Sequence, residues 1–229
     1  MHSISFSADD FGKSDLANKN ILNLVRQGKI QRVSVMVNRK ISKEEISKLL
    51  KSKVRQDIHL ELPQGNKEYT GAFIRSFLFI GRLIIGKNSA KQVANSWEHQ
   101  VEKFISIFNQ PPSGLNSHEH VHFFPPYFKI ALRLCEKYKI EYIRFGEKGV
   151  ILNGNSVSWI LKILNQLNKK YFLSHKLRIK SCDYLISLDW LKNLDSLLKP
   201  ENDYKNSIEL VCHPEREEEY KILSKTVIR

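Results

Sequence analysis

Apolar and polar positions along the chain alternate between two periods, one typical of buried strands and the other of amphipathic helices. Short β-branched runs are followed by stretches whose apolar residues recur every three or four positions. The predicted strands are Ile4–Ser7, Val33–Val37, Asp57–Leu62, Gly114–Ser117, Glu141–Arg144 and Ile208–Cys212. The predicted helices are Leu16–Val25, Lys43–Leu50, Val93–Phe108, Tyr127–Tyr138, Val157–Tyr171, Asp189–Leu198 and Glu215–Leu223. This alternation predicts an α/β fold of parallel β-α-β units, either closed as a barrel or open as a wound sheet.

The same pattern gives no internal domain boundary. We expect residues 1–229 to form a single domain, because neither a fixed-period repeat nor a low-complexity linker interrupts them. Residues 63–92 are the least regular, and we interpret them as an inserted loop or cap. Their apolar run, AFIRSFLFIGRLIIG at 72–86, contains Arg75 and Arg82 and is too short to span a membrane. It fits either a core helix or a segment that lies at a membrane interface.

Composition indicates a globular protein of the cytoplasm. Hydrophobic residues make up 41% and charged residues 27% of the chain, which is typical of soluble domains. The first residues, MHSISFSADDFG, do not resemble a secretory signal. The three cysteines, Cys135, Cys182 and Cys212, have no metal-type spacing and are expected to be buried free thiols.

The formal net charge of +13 admits two interpretations. It can attract an anionic partner such as nucleic acid, a membrane surface or a phosphorylated substrate. It can also reflect a merely basic surface, because the lysines are spread along the whole chain. Nucleic acid is not an expected partner, since no recognisable nucleic-acid motif accompanies the charge. Peripheral contact with an anionic membrane, at its inner face, remains an alternative to a wholly cytosolic protein.

Acids, histidines and an arginine follow five of the predicted strands. The candidate residues at these strand ends are Asp9, Asp10, His59, Glu61 (on the same face as His59), His118, Arg144 and His213. The carboxyl ends of parallel strands form the active-site face of α/β folds. A helix cap or a satisfied core histidine explains any one of these residues but explains the whole set poorly. The set therefore predicts a metal-dependent enzyme.

One of these strand ends is rich in histidine. The segment NSHEHVHFFPP at 116–126 places three histidines at alternate positions. His118, His120 and His122 would share one face if the segment were extended. The prolines would end that strand, and Pro125 or Pro126 suits the first turn of a following helix. The segment is either a metal or proton-transfer site or a strand end with solvated imidazoles.

Two imidazoles and one carboxylate leave coordination positions open for water, as in catalytic metal sites. A nearby free carboxylate can then act as general base and a histidine as general acid. Such a site hydrolyses an acyl compound without a nucleophilic serine, and the chain has no G-x-S-x-G motif. A metal-dependent phosphoesterase is the alternative enzyme, and a non-enzymatic, basic nucleic-acid-binding module is the second alternative.

Several stretches also resemble the YdjC/ChbG-like family of carbohydrate deacetylases. They are SADDFGKS near the N-terminus, IHLEL at 58–62, NSHEHVHFFPPYF at 116–128, YIRF at 142–145 and ELVCHPE at 209–215. The resemblance implies a distorted (β/α) barrel related to NodB-type polysaccharide deacetylases. It implies metal-dependent removal of an acetyl group from an N-acetylated hexosamine, either chitooligosaccharide-like or lipid-linked. Glu215 stands where the family usually has glycine after His-Pro.

By this resemblance, Asp10, His59 and His118 hold one divalent ion, magnesium or zinc. Asp9 is the general base, Arg144 orients Asp9, and His213 is the acid or an oxyanion partner. His120 and His122, together with Glu61, would face the substrate, support the metal ligands or simply fill space.

Overall fold

The protein is described here from a computed structural model. The structure describes residues 4–63, 89–151, 156–175, 178–191, 194 and 206–226. Residues 64–88, which are most of the predicted insertion and include the whole apolar run 72–86, lie outside these ranges. The expectation that this run contacts a membrane therefore stays a prediction.

Seven parallel strands form one sheet within the described chain. They are β1 (Ile4–Phe11), β2 (Arg32–Val35), β3 (Arg55–Leu60), β4 (Gly114–Ser117), β5 (Gly149–Val150), β6 (Tyr184–Ser187) and β7 (Ile208–Cys212). Their order is β4-β3-β2-β1-β7-β6-β5. The described residues also form six α-helices: α1 (Asp15–Arg26), α2 (Lys43–Lys51), α3 (Ala90–Phe108), α4 (Pro125–Tyr138), α5 (Ser156–His175) and α6 (Glu217–Lys225).

The sheet curls, and residues 142–144 bridge β4 to Lys180, which leads into β6. Leu115 in β4 donates its N–H to the carbonyl of Tyr142, at 2.9 Å, and accepts from the N–H of Arg144, at 3.1 Å. These two bonds join β4 to the segment that leads into β5. The predicted α/β fold, a distorted (β/α) barrel, is thus confirmed.

Local sequence explains where several helices begin. Ser14 caps α1, and Ser42 and Ser89 each form a reciprocal capping box at the start of α2 and α3. Pro125 occupies the first turn of α4, as predicted, because its missing N–H has no helical partner at that position. Apolar side chains between the sheet and the helices make up the core, which includes Trp97.

Two of the predicted elements are wrong, and one strand was not predicted. The expected strand Glu141–Arg144 consists only of isolated bridges at Tyr142 and Ile143, and β5 lies further along the chain. Strand β6 was not predicted, although it is as long as the predicted strand β4. The expected helix Asp189–Leu198 begins instead with a single 3-10 turn, Leu188–Trp190, and most of its remainder lies outside the described residues.

The three cysteines are free and buried, as predicted. No helix among the described residues combines the length and the apolarity that crossing a membrane requires.

Candidate active site

The site begins with an irregularity in β1 at Asp9 and Asp10. Between Ala8 and Phe11, β1 advances three residues while its partner β2 advances two. Side chains of neighbouring residues in a regular strand point to opposite faces, and an extra residue of this kind re-aims them. Asp10 adopts a left-handed backbone with φ of 70°, which is uncommon for a residue other than glycine. The bulge thus allows the carboxylates of both Asp9 and Asp10 to lie at the same end of the barrel.

Asp10, His59 and His118 converge at the carboxyl edge of the sheet. Asp10 Oδ1 lies 3.3 Å from His59 Nε2 and 3.1 Å from His118 Nδ1. One potential ligand atom from each residue lies within 4.8 Å of the other two. Burial alone would raise the pKa of Asp10, but hydrogen bonding to the two histidines lowers it well below its usual range. The carboxylate therefore stays ionised.

Asn116 determines which nitrogen of His59 faces this cluster. The side-chain oxygen of Asn116 lies 2.5 Å from His59 Nδ1, and its amide nitrogen donates to Ser34 Oγ at 2.9 Å. Because an amide oxygen only accepts, His59 Nδ1 carries a proton, and Nε2 is the nitrogen that faces Asp10. A histidine that ligates a metal is oriented in this way by a hydrogen bond to its other nitrogen. Asn116 was missed in the sequence, although it lies two residues before His118 and opposite His59 in the ladder.

Asp9 forms a buried, bidentate ion pair with Arg144. The two guanidinium nitrogens donate to Asp9 Oδ2 at 2.6 Å and to Oδ1 at 2.8 Å. Glu209 of β7 accepts from Arg144 Nε at 2.7 Å, and both Arg144 and Glu209 are fully buried. Burial would raise the pKa of Asp9, but the charge of Arg144 lowers it below its usual range. The pair fixes both the orientation and the charge of Asp9.

Glu209 was also missed in the sequence. Its signal is a charged residue in the middle of the apolar strand IELVC, and such residues are almost never fully buried unless paired.

His213 follows β7 and is held by Glu219 of α6. Glu219 Oε2 accepts from the His213 backbone N–H at 2.6 Å, and Glu219 Oε1 lies 3.7 Å from the His213 Nδ1. Burial would lower the pKa of His213, but Glu219, Asp9 and Asp10 together raise it. The raised pKa widens the pH range in which His213 is protonated and can donate a proton. Glu219 lies six residues beyond its partner on the next helix, and no motif in the sequence marks it.

The predicted common face of the three histidines is wrong. Strand β4 ends at Ser117, and His118–Phe123 forms 3-10 turns in which Glu119 and His120 are left-handed. The three imidazoles consequently point in different directions.

His122 holds the backbone of Arg144. It is fully buried, and its Nδ1 lies 2.7 Å from Ser117 Oγ while Nε2 lies 2.9 Å from the Arg144 carbonyl. Because a carbonyl only accepts, Nε2 carries the proton. Burial lowers the pKa of His122 to about 3, so the ring is neutral. Its role is to position Arg144.

His120 has a buried nitrogen with no partner. Its ring lies 6.4 Å from that of Trp190, and its Nδ1 is one of five buried side-chain polar atoms in the described residues that lack a hydrogen bond. Two of the others are Glu61 Oε2 and His213 Nδ1. Buried polar groups are normally satisfied, so unsatisfied ones mark a place for a ligand, ion or water.

Glu61 and Glu215 are bound to basic neighbours. Glu61 Oε1 forms an ion pair with Arg39 at 2.8 Å. Glu215 accepts from Ser14 Oγ at 2.6 Å and pairs with Lys13 at 2.8 Å. The Glu215 carboxylate therefore binds two residues of the loop between β1 and α1.

The residues present fit a divalent cation. The donor set is one carboxylate oxygen and two imidazole nitrogens, with His59 Nε2 facing the cluster. Three protein ligands with further positions open are typical of catalytic metal sites. The arrangement also offers an ionised carboxylate at Asp9 and a proton donor at His213, on neighbouring strands β1 and β7.

A family model described as YdjC-like protein matches residues 3–227. Carbohydrate deacetylases of mouse and zebrafish are 22% and 24% identical to the chain over 67% and 60% of its length. The chain spans about half the length of these relatives, 53% and 48%. A chitooligosaccharide deacetylase of Citrobacter koseri is 23% identical over 91% of the chain and 79% of its own length.

Two solved structures share the fold. A protein of Enterococcus faecalis, provisionally named for cellobiose-phosphate cleavage, has a TM-score of 0.63 and 18% identity over 93% of this chain and 80% of its own. An uncharacterised protein of Agrobacterium tumefaciens has a TM-score of 0.54 and 9% identity over 97% of this chain and 80% of its own. At these identities, the likeness concerns the fold alone.

Proposed function

The chain belongs to the YdjC-like protein family, and from this premise we propose that it removes the acetyl group from an N-acetylated hexosamine by metal-dependent hydrolysis. The names of its relatives, carbohydrate deacetylase and chitooligosaccharide deacetylase, support the reaction class. The observation that carries the proposal is the convergence of Asp10, His59 and His118 beside an ionised Asp9.

In this proposal, Asp10, His59 and His118 hold one divalent ion. The two imidazole donors favour zinc over magnesium, which prefers oxygen ligands. When bound, the ion supplies Lewis acidity that polarises the acetyl carbonyl and acidifies water. Asn116 keeps the His59 lone pair directed at the ion.

The other residues of the site move protons. Asp9 accepts a proton from the water that adds to the acetyl carbon, and Arg144 keeps its carboxylate ionised and correctly turned. His213 gives its proton to the sugar nitrogen as the carbon–nitrogen bond breaks, so that acetate and a free amine leave. Glu219 supports the protonated form of His213.

His120 is proposed to contact the substrate. Its buried Nδ1 lacks a partner, and the indole of Trp190 lies near its ring. Aromatic rings offer an apolar body for sugar faces, while an imidazole nitrogen can bond a hydroxyl. The sugar is either a short soluble oligosaccharide or one carried by a lipid.

A substrate panel tests the reaction class. The purified, metal-loaded protein is given free, oligomeric, phosphorylated and lipid-linked N-acetylhexosamines, and acetate and phosphate are both measured. We expect acetate from at least one member and no phosphate. Phosphate without acetate would make the protein a phosphoesterase. Release of neither, together with salt-sensitive binding of nucleic acid, would make it a binding module.

A further inference from the structure

Helix α5 carries apolar side chains on the face that points away from the barrel. Its inner face, which includes Leu161, Asn165 and Phe172, is buried. The opposite face has large apolar residues at steps of four, extended by one neighbour, and we call this set the α5 stripe: Trp159, Ile160, Ile163, Leu167 and Tyr171. Trp159 is 53% exposed, Ile163 59% and Leu167 58%. A helix that is apolar on both faces normally has a second partner.

Exposure of this kind is concentrated on α5. Elsewhere in the described residues, the exposed large apolar side chains are Leu16, Leu50 and Ile222, one on each of three other helices. Scattered single residues need no explanation, whereas a contiguous apolar patch marks an interaction site.

Only basic charge accompanies the stripe on its own helix. Helix α5 contains Lys162, Lys169 and Lys170 and no acidic residue. The Lys162 ammonium lies 5.5 Å from the centre of the Trp159 ring, and Lys129 of α4 lies 4.2 Å from that of Tyr171. Exposed tryptophan and aliphatic residues flanked by lysines are typical of helices that lie in the plane of an anionic membrane surface.

Charge also argues against a second copy of the chain as the partner. The protein carries a formal net charge of +13. Stacking α5 on α5 would bring lysines of both copies together without an acid on either helix to pair with them, and like charges that meet at an interface are costly. An anionic lipid surface instead gains from every lysine near it.

We propose that the α5 stripe docks the protein onto an anionic lipid surface. Helix α5 follows β5, so its Trp159 end lies towards the carboxyl edge of the sheet, where the candidate site is. Docking through α5 would therefore hold the site beside the lipid head groups. Lipid binding is measured without turnover, so the proposal stands or falls separately from the deacetylase assignment.

Vesicle binding tests the proposal with a matched control. We expect the protein to sediment with phosphatidylglycerol vesicles at low salt, at least tenfold more weakly with phosphatidylcholine vesicles, and more weakly with both at high salt. Ile163→Glu/Leu167→Glu should reduce binding at least tenfold. Leu50→Glu/Ile222→Glu makes the same change in charge at exposed positions on α2 and α6 and should bind like the unmodified protein.

Tryptophan fluorescence reports on the stripe directly, without a destabilising substitution. Of the three tryptophans, Trp97 and Trp190 are 0% and 6% exposed, so Trp159 is the one that lipid can reach. Anionic vesicles should shift the emission to the blue, and Trp159→Phe should lose that shift while still sedimenting with them.

Four results on binding, fluorescence or assembly would overturn the proposal. They are no binding to anionic vesicles, equal binding by the stripe and control variants, a blue shift that survives Trp159→Phe, and a dimer in sedimentation velocity that only the stripe variant loses. A melting temperature that falls in the stripe variant alone would also contradict it, because the stripe would then be covered by another part of this chain.

Discussion

Asp9 and Asp10 are neighbours in the chain but have different partners in the site. Asp10 faces the two imidazoles, whereas Asp9 is bound on both oxygens by Arg144. The low pKa of Asp9 makes it a weak base. What it contributes to the site is a carboxylate that is always ionised and always held in one orientation. In the proposed function, Asp10 holds the metal and the adjacent Asp9 transfers the proton.

Asp9→Asn should keep the metal and lose turnover. The amide is nearly isosteric but does not accept a proton at neutral pH, so we expect acetate release to fall by roughly 10²–10⁴-fold. Metal content and acetate are measured on the same sample. Loss of the metal with this substitution would mean that the roles of Asp9 and Asp10 are exchanged.

Asn116→Ala should weaken metal binding without touching a ligand. Removal of a group that orients a ligating histidine costs about 10–100-fold in metal affinity. The affinity is measured by competition with a chromophoric chelator. Asn23→Ala, which removes an amide bonded to Tyr220 on the outside of the barrel, is the control and should bind metal normally. Equal affinities in the two variants would exclude the role assigned to Asn116.

Glu219→Gln should move the alkaline limit of activity to lower pH. Since the pKa of His213 is raised in the folded protein, its protonated form persists above the usual range and is lost as pH rises through that raised value. The substitution removes a major raising influence, so the acid form is lost at lower pH. The measurement is kcat/KM against pH, with Glu217→Gln, an exposed position on α6, as the control. If the alkaline limit of kcat/KM does not move, His213 is not the general acid.

Among the secondary-structure elements, strand β7 has the predicted bounds, Ile208–Cys212. Strand β1 begins where predicted but runs four residues further, through Asp9 and Asp10 to Phe11. The segment after β4 does not follow its sequence pattern. Its alternating histidines have the period of a strand, but the side-chain bonds of His122 to Ser117 and to the Arg144 carbonyl favour a tight turn. Local hydrogen bonds of this kind are invisible to a hydrophobic pattern, and so are the partners of the site, Asn116 and Glu219.

Helix α4 offers a test of its C-terminal cap. Lys139 follows the helix with a left-handed backbone, φ of 56°, which glycine adopts without strain. Lys139→Gly should stabilise the protein by about 1 kcal/mol. For a chain of this size, we expect a rise in melting temperature of roughly 2–4 °C.

The control for this prediction is Arg133→Gly, in the exposed middle of the same helix, where glycine costs about 1 kcal/mol. A fall in melting temperature with both substitutions would contradict the assigned cap.

In the molecule as a whole, buried ion pairs link strands of the sheet to one another and to Arg144. Arg144 joins Asp9 to Glu209, and Arg32 binds Asp57 through two bonds of 2.7 and 2.6 Å. Such buried ion pairs are weak evidence for stability. We infer that they hold the site's charges in place.

The sequence was sufficient to predict the α/β class and the convergence of the strand-end residues, since parallel strands bring their carboxyl ends to one edge. It was insufficient for the closure of the barrel. That closure depends on two backbone bonds of Leu115 to Tyr142 and Arg144, and the strand-like pattern of Glu141–Arg144 does not show which segment it pairs with. Pairing between distant segments leaves no local signal when one of them is irregular.

The most direct test of the account is acetate release before and after metal removal. The protein is stripped with a chelator, assayed on N-acetylhexosamine substrates, reloaded with zinc or magnesium and assayed again, with Asp10→Ala treated in parallel. We predict that acetate release disappears on stripping, returns on reloading, and is absent from Asp10→Ala throughout. Acetate release that is unchanged in the stripped protein or in Asp10→Ala would contradict the account.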